Sequence, residues 1–548
     1  MAGGSNRHPL ASAGAEWLIW RHGKAGPPHH RGAMPLHVVG ASCRLENSAA
    51  PRPVPARWYW NPMSTTDPII RLESPEEGRV LREFFHGRGY NMKNLGPLLG
   101  QRGNVALLLH QTREPSLLHV LVHWFVIGRP VEEKTAASFV PEQILRLLVK
   151  SGLLIREGDG FAPVVLVLPF GDLLTVCDHA VESDHPPPDV VIGPNAPAGS
   201  LMNFTIRRQA GTALDMCCGG GIHAMKLAAH SDTVVASDLN PRALTFARFN
   251  ARLHGAENIE FLEGDGFHTV SGRSFDLIVA NPPFYLLPAT DLLYRDNPLD
   301  LDGFARELMR QAPRYLNEGG IFQMVLEWVE LEGQPWPKRL EEWFDGAGCD
   351  VWVVRNYAMR PIEYCEARLR SGGLATVDSD VKTLADWSEY YSRNKVTAMH
   401  GGVIAMRKRA SAKNWTEMEE TPMSIRRPVG ELVESFFKAQ DLAREADEAL
   451  FDLRPRLSPH ARLEQVSPAS EQGWLNPSMQ LRLSHGLERT CAVDQQVAAF
   501  LSHLNGTRSI RELLAALTPS QDVDPQRMQA QCMAVMRQLI RRGFVLAG

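Results

Sequence analysis

Three short segments combine residue types that could bind a nucleoside cofactor and present an acceptor nitrogen to it. The first is Leu214-Asp215-Met216-Cys217-Cys218-Gly219-Gly220-Gly221, an apolar run that enters a glycine-rich turn and then opens a helix. Glycines there let a ligand lie against bare backbone. The second is Ser237-Asp238-Leu239-Asn240-Pro241. An acidic residue roughly 20 positions beyond such a turn is placed to accept hydrogen bonds from both ribose hydroxyls. Asn240 reads as a helix cap and Pro241 as the first helical residue, which fixes the direction of Asp238. Asp265, in Leu262-Glu263-Gly264-Asp265-Gly266, ends a further strand pattern and could accept from an adenine amino group. These signals suit more than one nucleoside cofactor, a nicotinamide dinucleotide among them.

The third segment, Ala280-Asn281-Pro282-Pro283-Phe284, separates the alternatives. Two prolines directly after a buried strand fix the loop and withhold two N–H donors, so the site is biased toward accepting hydrogen bonds. The Asn281 side-chain oxygen and the Pro282 carbonyl can grip both N–H bonds of a target amino group. The lone pair of such a nitrogen is delocalised into a carbonyl or a ring. Holding its protons out of that plane turns the lone pair toward a sulfonium methyl for in-line transfer. This is positioning plus electrostatics, without a strong general base. Phe284 can stack on the flat face of the target, and Tyr285 adds to that surface. The chemistry implied is methylation of an amide side chain or an exocyclic amine by S-adenosylmethionine.

The elements that must position these segments follow from periodicity. Residues 190–409 alternate strand and helix patterns, the mark of a parallel sheet covered on both faces. Strands are expected at 213–214, 234–237, 259–262, 277–280, 321–326 and 351–354. A last strand is expected at 403–406, after an insertion near 360–395. The fold class is α/β, a Rossmann-like, seven-stranded, mostly parallel sheet with helical or winged-helix-like domains at both ends. All three signals fall at C-terminal ends of strands, where open parallel sheets bind ligands.

Residues 1–62 are rich in Gly, Pro, His, Ala and Arg without periodicity and read as disordered, an extension ahead of a natural start at Met63. Residues 63–186 read as a helical, winged-helix-like domain. Ser74-Pro75-Glu76-Glu77 is a capping box there, and Val140–Val149 an amphipathic helix. Strands at 153–155 and 164–168 are expected to pair as a hairpin around Gly158-Asp159-Gly160. The acidic, proline-rich stretch 182–188 reads as a linker. The catalytic domain is expected at 187–409, a linker and helical segment at 410–480, and a second winged-helix-like domain at 481–548. In the last, Ser509-Ile510-Arg511-Glu512 is a capping box, and Asp524-Pro525 starts a helix that ends at Gly543.

Composition narrows the class further. The chain has 548 residues, too many for one core, and is 44% hydrophobic and 22% charged, as in globular proteins. No apolar run is long enough to cross a membrane, and the reading is cytoplasmic. The eight cysteines form no C-x-x-C pair and the 19 histidines show no ligand spacing, so reduced buried thiols and no metal are expected. The net charge of -4 counts against non-specific nucleic-acid binding.

The segments quoted resemble the methyltransferase small-domain superfamily, whose motif is N-P-P-[YF]. Its members include HemK-like release-factor glutamine methyltransferases and ribosomal-RNA and DNA amino-methyltransferases. The resemblance covers residues 190–330 and continues in Tyr294-Arg295-Asp296, Ala312-Pro313 and Glu318-Gly319-Gly320. The flanks are similar to bacterial proteins that join this domain to an N-terminal helical and a C-terminal winged-helix-like domain. By resemblance, Asp215 and the turn through Cys217, Gly219 and Gly221 would hold the amino-acid part of S-adenosylmethionine. Asp238 with Leu239 would hold its ribose, and Asp265 with Gly266 its adenine end. Asn281, Pro282, Pro283 and Phe284 would hold the acceptor nitrogen. Cys217 departs from the family, standing where many relatives have the first glycine of the turn.

Two acceptor classes remain open, a protein glutamine in a translation-factor-like partner and a base of RNA or DNA. The lack of basic charge favours the first. Arg407-Lys408-Arg409, Lys413 and Arg426-Arg427 could touch phosphate, against a plainer reading as solvated linker charges. Two readings of another kind stand beside these. One is a degenerate scaffold that binds a peptide or nucleic acid; the other is a nicotinamide-dependent oxidoreductase, which leaves Asn-Pro-Pro-Phe unexplained.

Overall fold

The computed structural model describes residues 70–99, 105–179, 187–288, 293, 299, 301–371, 377–410, 413–421, 425, 427–471, 473–475, 478–516 and 524–547. Met63, the linker stretch up to residue 186, Tyr294-Arg295-Asp296 and Arg426 lie outside them.

The N-terminal part begins with helix Pro75–Gly87, capped where Ser74 Oγ accepts from the Glu77 amide at 3.3 Å. Glu77 reaches back to the Glu73 amide rather than to that of Ser74. The expected hairpin is corrected. Leu154–Glu157 pairs with Gly160–Pro163 across the tight Gly158-Asp159 turn, whereas Val165–Phe170 pairs with Leu173–Asp178. A second tight turn at Gly171-Asp172 makes the later strand the nearer partner. This part does not own its core, because Phe246, Phe249 and Leu253 from the central domain are buried within it.

The central sheet is built from β1 (Ala210–Met216), β2 (Ser231–Asp238), β3 (Ile259–Glu263), β4 (Phe275–Ala280), β5 (Leu316–Leu331), β6 (Cys349–Met359), β7 (Val396–Lys408) and β8 (Thr416–Glu420). Their spatial order is β8-β6-β7-β5-β4-β1-β2-β3. Only β7 runs against the others. Chain order reverses between β1 and β4, the switch point at which such sheets open a crevice. Helix α1 (Ile222–Ala228) follows β1 and α2 (Pro241–His254) follows β2. The insertion forms α3 (Pro361–Ser371) and α4 (Val377–Arg393). Beyond Met324↔Ala280, where β4 ends, β5 continues with β7 alone as far as Leu331↔Val396. On the other side of β7, β6 accompanies it as far as Met359↔Met399, so a three-stranded extension projects past the C-terminal edge of the sheet beside the switch point.

Three expectations change. The sheet has eight strands, not seven, because the acidic segment Thr416–Glu420 pairs with β6; its sequence lacks the apolar alternation that would mark it. Residues 410–480, expected as a linker and helical segment, hold the helices Gly430–Leu442 and Asp447–Phe451, and the linker part is replaced by packed structure. Helix Gly430–Leu442 buries Val433, Phe436 and Phe437 against the sheet, with Phe436 stacked on Trp352 at 3.9 Å. Ala461–Val466 pairs with Ser478–Leu483 across the boundary expected at 480/481, and one core runs from Ala443 to Val545. Ser509 and Glu512 cap each other's amides at 2.7 and 3.1 Å. Arg407 and Arg409 are neither solvated nor free for phosphate, because both pair with buried Asp350 and with Asp441. Among the described residues, no helix is long and apolar enough to cross a membrane.

Candidate functional site

The switch point holds a cavity of about 990 Å³. Its wall includes Cys217, Gly219, Asp238, Leu239, Asp265, Gly266, Asn281, Pro282, Pro283 and Phe284, together with Tyr285. Asp215 and Gly221 are not in that wall. Gly221 caps α1 at φ 78°, and a Cβ there would meet that of Ala247 at 3.0 Å. The glycine serves a turn and a close helix contact.

Asp215 sits behind the turn, fully buried. Its Oδ2 accepts from the Ala224 amide at 2.7 Å, while Oδ1 has no hydrogen-bond partner. Burial pushes its carboxyl up to about 8. Asp238 stitches two loops together, with Oδ2 accepting from the Gly219 amide at 2.8 Å and Oδ1 from the Asn240 amide at 2.9 Å. Each oxygen keeps a second lone pair for a ligand hydroxyl. Burial also raises this carboxyl above its ordinary value. Asn240 caps α2 by accepting from Arg242 N–H at 2.9 Å. Cys217 adopts φ 57°, a left-handed conformation that favours glycine. Burial keeps its thiol protonated, well above the usual range.

Leu239 is 56% exposed on the cavity rim, a large apolar side chain on which a flat ring could rest. Asp265 and Asn281 make no side-chain hydrogen bond to described residues, so their polar atoms are available to a ligand. Asn281 ends β4 directly. Phe284 is 8% exposed and meets Tyr285 edge to face at 5.6 Å.

Sequence reasoning missed helix Gly303–Gln311, which lines the wall with Phe304, Glu307, Leu308 and Gln311, and two further groups. One is the N-terminal strand at Thr175–Cys177 with residues 190–195, which covers the turn from the far side of α1. Asn250 locks it there, bonding both the amide and the carbonyl of Val176 and the carbonyl of Gly220. Nothing local in an apolar strand signals such a role. The other is His223, whose ring burial holds neutral, with its pKa lowered to about 4. Its only sequence signal is a polar residue one position into a helix that opens a cofactor turn. Among the described residues, no group of three or more His, Cys, Asp or Glu side chains could hold a metal ion.

S-Adenosylmethionine fits this donor set. The turn offers bare backbone in the cavity that also holds Asp238 and Asn281, and behind that turn the buried Asp215 keeps an Oδ1 without a hydrogen-bond partner.

A family model described as methyltransferase small domain matches residues 198–347, and a domain of unknown function, DUF7782, matches residues 434–547. The ribosomal protein uL3 glutamine methyltransferase of Xanthomonas campestris pv. campestris is 35% identical over 130 residues, 21% of this chain and 41% of that protein. The ribosomal RNA small subunit methyltransferase C of Idiomarina loihiensis is 30% identical over 141 residues, 26% of this chain and 37% of its own length. That of Salmonella paratyphi B is 34% identical over 146 residues, covering 26% and 38%. The chain spans about two fifths of the length of these curated relatives.

Proposed function

We propose, from the premise that residues 198–347 belong to the methyltransferase small-domain superfamily, that the chain is an S-adenosylmethionine-dependent N-methyltransferase. Its acceptor is a planar amide or exocyclic amino nitrogen. Members of the superfamily use this cofactor, and Asp215, Cys217, Gly219, Asp238, Leu239, Asp265 and Gly266 would hold it here. The observation that carries the reading is Asn281 at the end of β4, its side chain without a hydrogen-bond partner among the described residues, in the same cavity as the glycine-rich turn and Asp238.

When bound, the cofactor supplies an electrophilic methyl group. The chain's own part is to hold the acceptor. Asn281 Oδ1 and the Pro282 carbonyl accept its two N–H bonds, Phe284 stacks on its plane, and the lone pair is turned toward the methyl. As the new C–N bond forms the nitrogen becomes cationic and strongly acidic, and it gives up one N–H proton to solvent water. No strong base is needed, because that proton is far more acidic than those of the neutral acceptor.

Within this class a protein glutamine is the leading acceptor, given the acidic net charge of -4 and the similarity to a uL3 glutamine methyltransferase. A nucleobase is the second reading, favoured by the similarity to ribosomal RNA methyltransferases. The test is calorimetric titration with S-adenosylmethionine, S-adenosylhomocysteine and NAD, then transfer of labelled methyl to protein and RNA fractions of a strain lacking the gene. Label removed by protease identifies the first acceptor, and label removed by ribonuclease the second. Binding of NAD alone, or unchanged transfer by Asn281→Ala, would refute the assignment.

A further inference from the structure

Two residues beyond the proline pair's aromatic partner Phe284, the chain is gripped by the insertion. The Leu286 amide donates to Tyr364 Oη at 3.1 Å, and Tyr391 Oη donates to the Leu286 carbonyl at 2.9 Å. Leu286 is fully buried with both tyrosines in a small core of its own. Because Tyr364 Oη accepts from Leu286, its own proton goes to Glu327, a carboxylate 2% exposed on the projecting part of β5. Glu327 also accepts from Tyr357 Oη at 2.5 Å and from Arg368. The Arg368 guanidinium in turn lies over the ring of Tyr285 at 4.3 Å and over that of Tyr364 at 4.6 Å.

A buried carboxylate–guanidinium pair is seldom the most stable way to fill a core, since apolar side chains of similar volume often do as well or better. This pair lies beside the acceptor loop, with Arg368 over the ring of Tyr285 and Glu327 linked to Leu286 through Tyr364. In-line transfer tolerates little misplacement, and Pro282 and Pro283 provide no N–H with which the loop could anchor itself.

We propose that Tyr364, Tyr391, Glu327 and Arg368 form a positioning clamp for the Asn281–Phe284 loop, acting through Leu286 and Tyr285. The clamp sets the distance from Asn281 to the cofactor turn and presents the remaining face of Tyr285 to the acceptor. The inference rests on the reading of Asn281–Phe284 as the acceptor site.

The test uses the full-length chain with Tyr364→Phe, Tyr391→Phe and Glu327→Gln. Three quantities are read: hydrogen exchange of the Leu286 amide, calorimetric binding of S-adenosylhomocysteine, and methyl transfer from labelled S-adenosylmethionine to protein and RNA fractions. The clamp predicts exchange at Leu286 faster by about tenfold for Tyr364→Phe, with kcat lower by about as much. Affinity for S-adenosylhomocysteine stays within about twofold of the wild type. Unchanged Leu286 exchange and kcat overturn the proposal, as does a loss of cofactor affinity in step with kcat, which marks general loosening. If Glu327→Gln does not fold, the two tyrosine variants decide. A wild-type chain that binds no S-adenosylhomocysteine and transfers no methyl overturns the functional reading instead, a result the wild-type lanes alone reveal.

Discussion

The two halves of the cavity, proposed above to hold the cofactor and the acceptor, are built by different means. On the cofactor side, Asp215, the turn at Cys217–Gly221 and Asp238 lie within a few residues of strand ends. They are joined by short backbone bonds, such as Gly219 N–H to Asp238 at 2.8 Å. On the acceptor side, the Asn281–Phe284 loop is backed by side chains from residues 327 to 391, up to 105 positions away in the chain. The first half is a local motif laid on a sheet; the second is a tertiary assembly. Damage should therefore spread differently in the two.

The largest expected effect lies beneath the cofactor half. Burial raises the Asp215 carboxyl to about 8 from its ordinary value of 3.8. A raised acid favours folding below the unfolded value, and that contribution is lost as pH climbs through the folded one. The ligand-free chain should lose stability from about pH 4 to about pH 8 at up to roughly 1.4 kcal/mol per unit from this group. Asp215→Asn should flatten the slope in denaturant titrations run at several pH values. An unaltered slope would place the pH dependence elsewhere.

The contrast is sharpened next by Asn281→Ala, which on the proposed reading removes a contact made to the acceptor. Methyl transfer should fall by about two to three orders of magnitude, with S-adenosylhomocysteine affinity within about twofold of wild type. Parallel loss of affinity would show that the two halves are not separable. Asp238→Ala should do the reverse. It strands the Gly219 and Asn240 amides, each bonded to a carboxylate oxygen, and should weaken cofactor binding by about 2–3 kcal/mol, read by calorimetry.

The smallest effect is expected at Cys217. Its φ of 57° carries a strain that Cys217→Gly relieves, offset by the greater freedom of glycine in the unfolded chain. Stability should move by less than about 1 kcal/mol, and cofactor affinity should hold or tighten. A marked loss of affinity would mean that the Cys217 side chain itself contacts the ligand.

Much of the central sheet was legible because its strands are apolar runs that end in glycine, asparagine or proline. β1 to β4 lie where periodicity put them, and the turn, Asp238, Asp265 and Asn281 converge on one cavity. The segment Thr416–Glu420 was not legible as a strand. Its acidic residues pair with Arg355, Arg444 and Arg489 from elsewhere in the fold, and no local pattern records that. The hairpin at 154–170 was misread for a related reason. Two tight turns lie close together, and local apolar runs do not say which strand takes which partner.

Sequence alone determined the chemistry available at the strand ends, since a glycine-rich turn, an acidic residue and Asn-Pro-Pro-Phe are each local in the chain. Tertiary structure alone decided that Thr175–Cys177 lines the cavity beside the turn, that Arg407 and Arg409 are consumed by Asp350 and Asp441, and that Leu286, just past Asn281–Phe284, is held by Tyr364 and Tyr391 with Glu327 behind Tyr364. Backbone preferences act over a few residues and can be read from them. Partners of buried charges and of loops without their own N–H donors are set only when distant segments pack together.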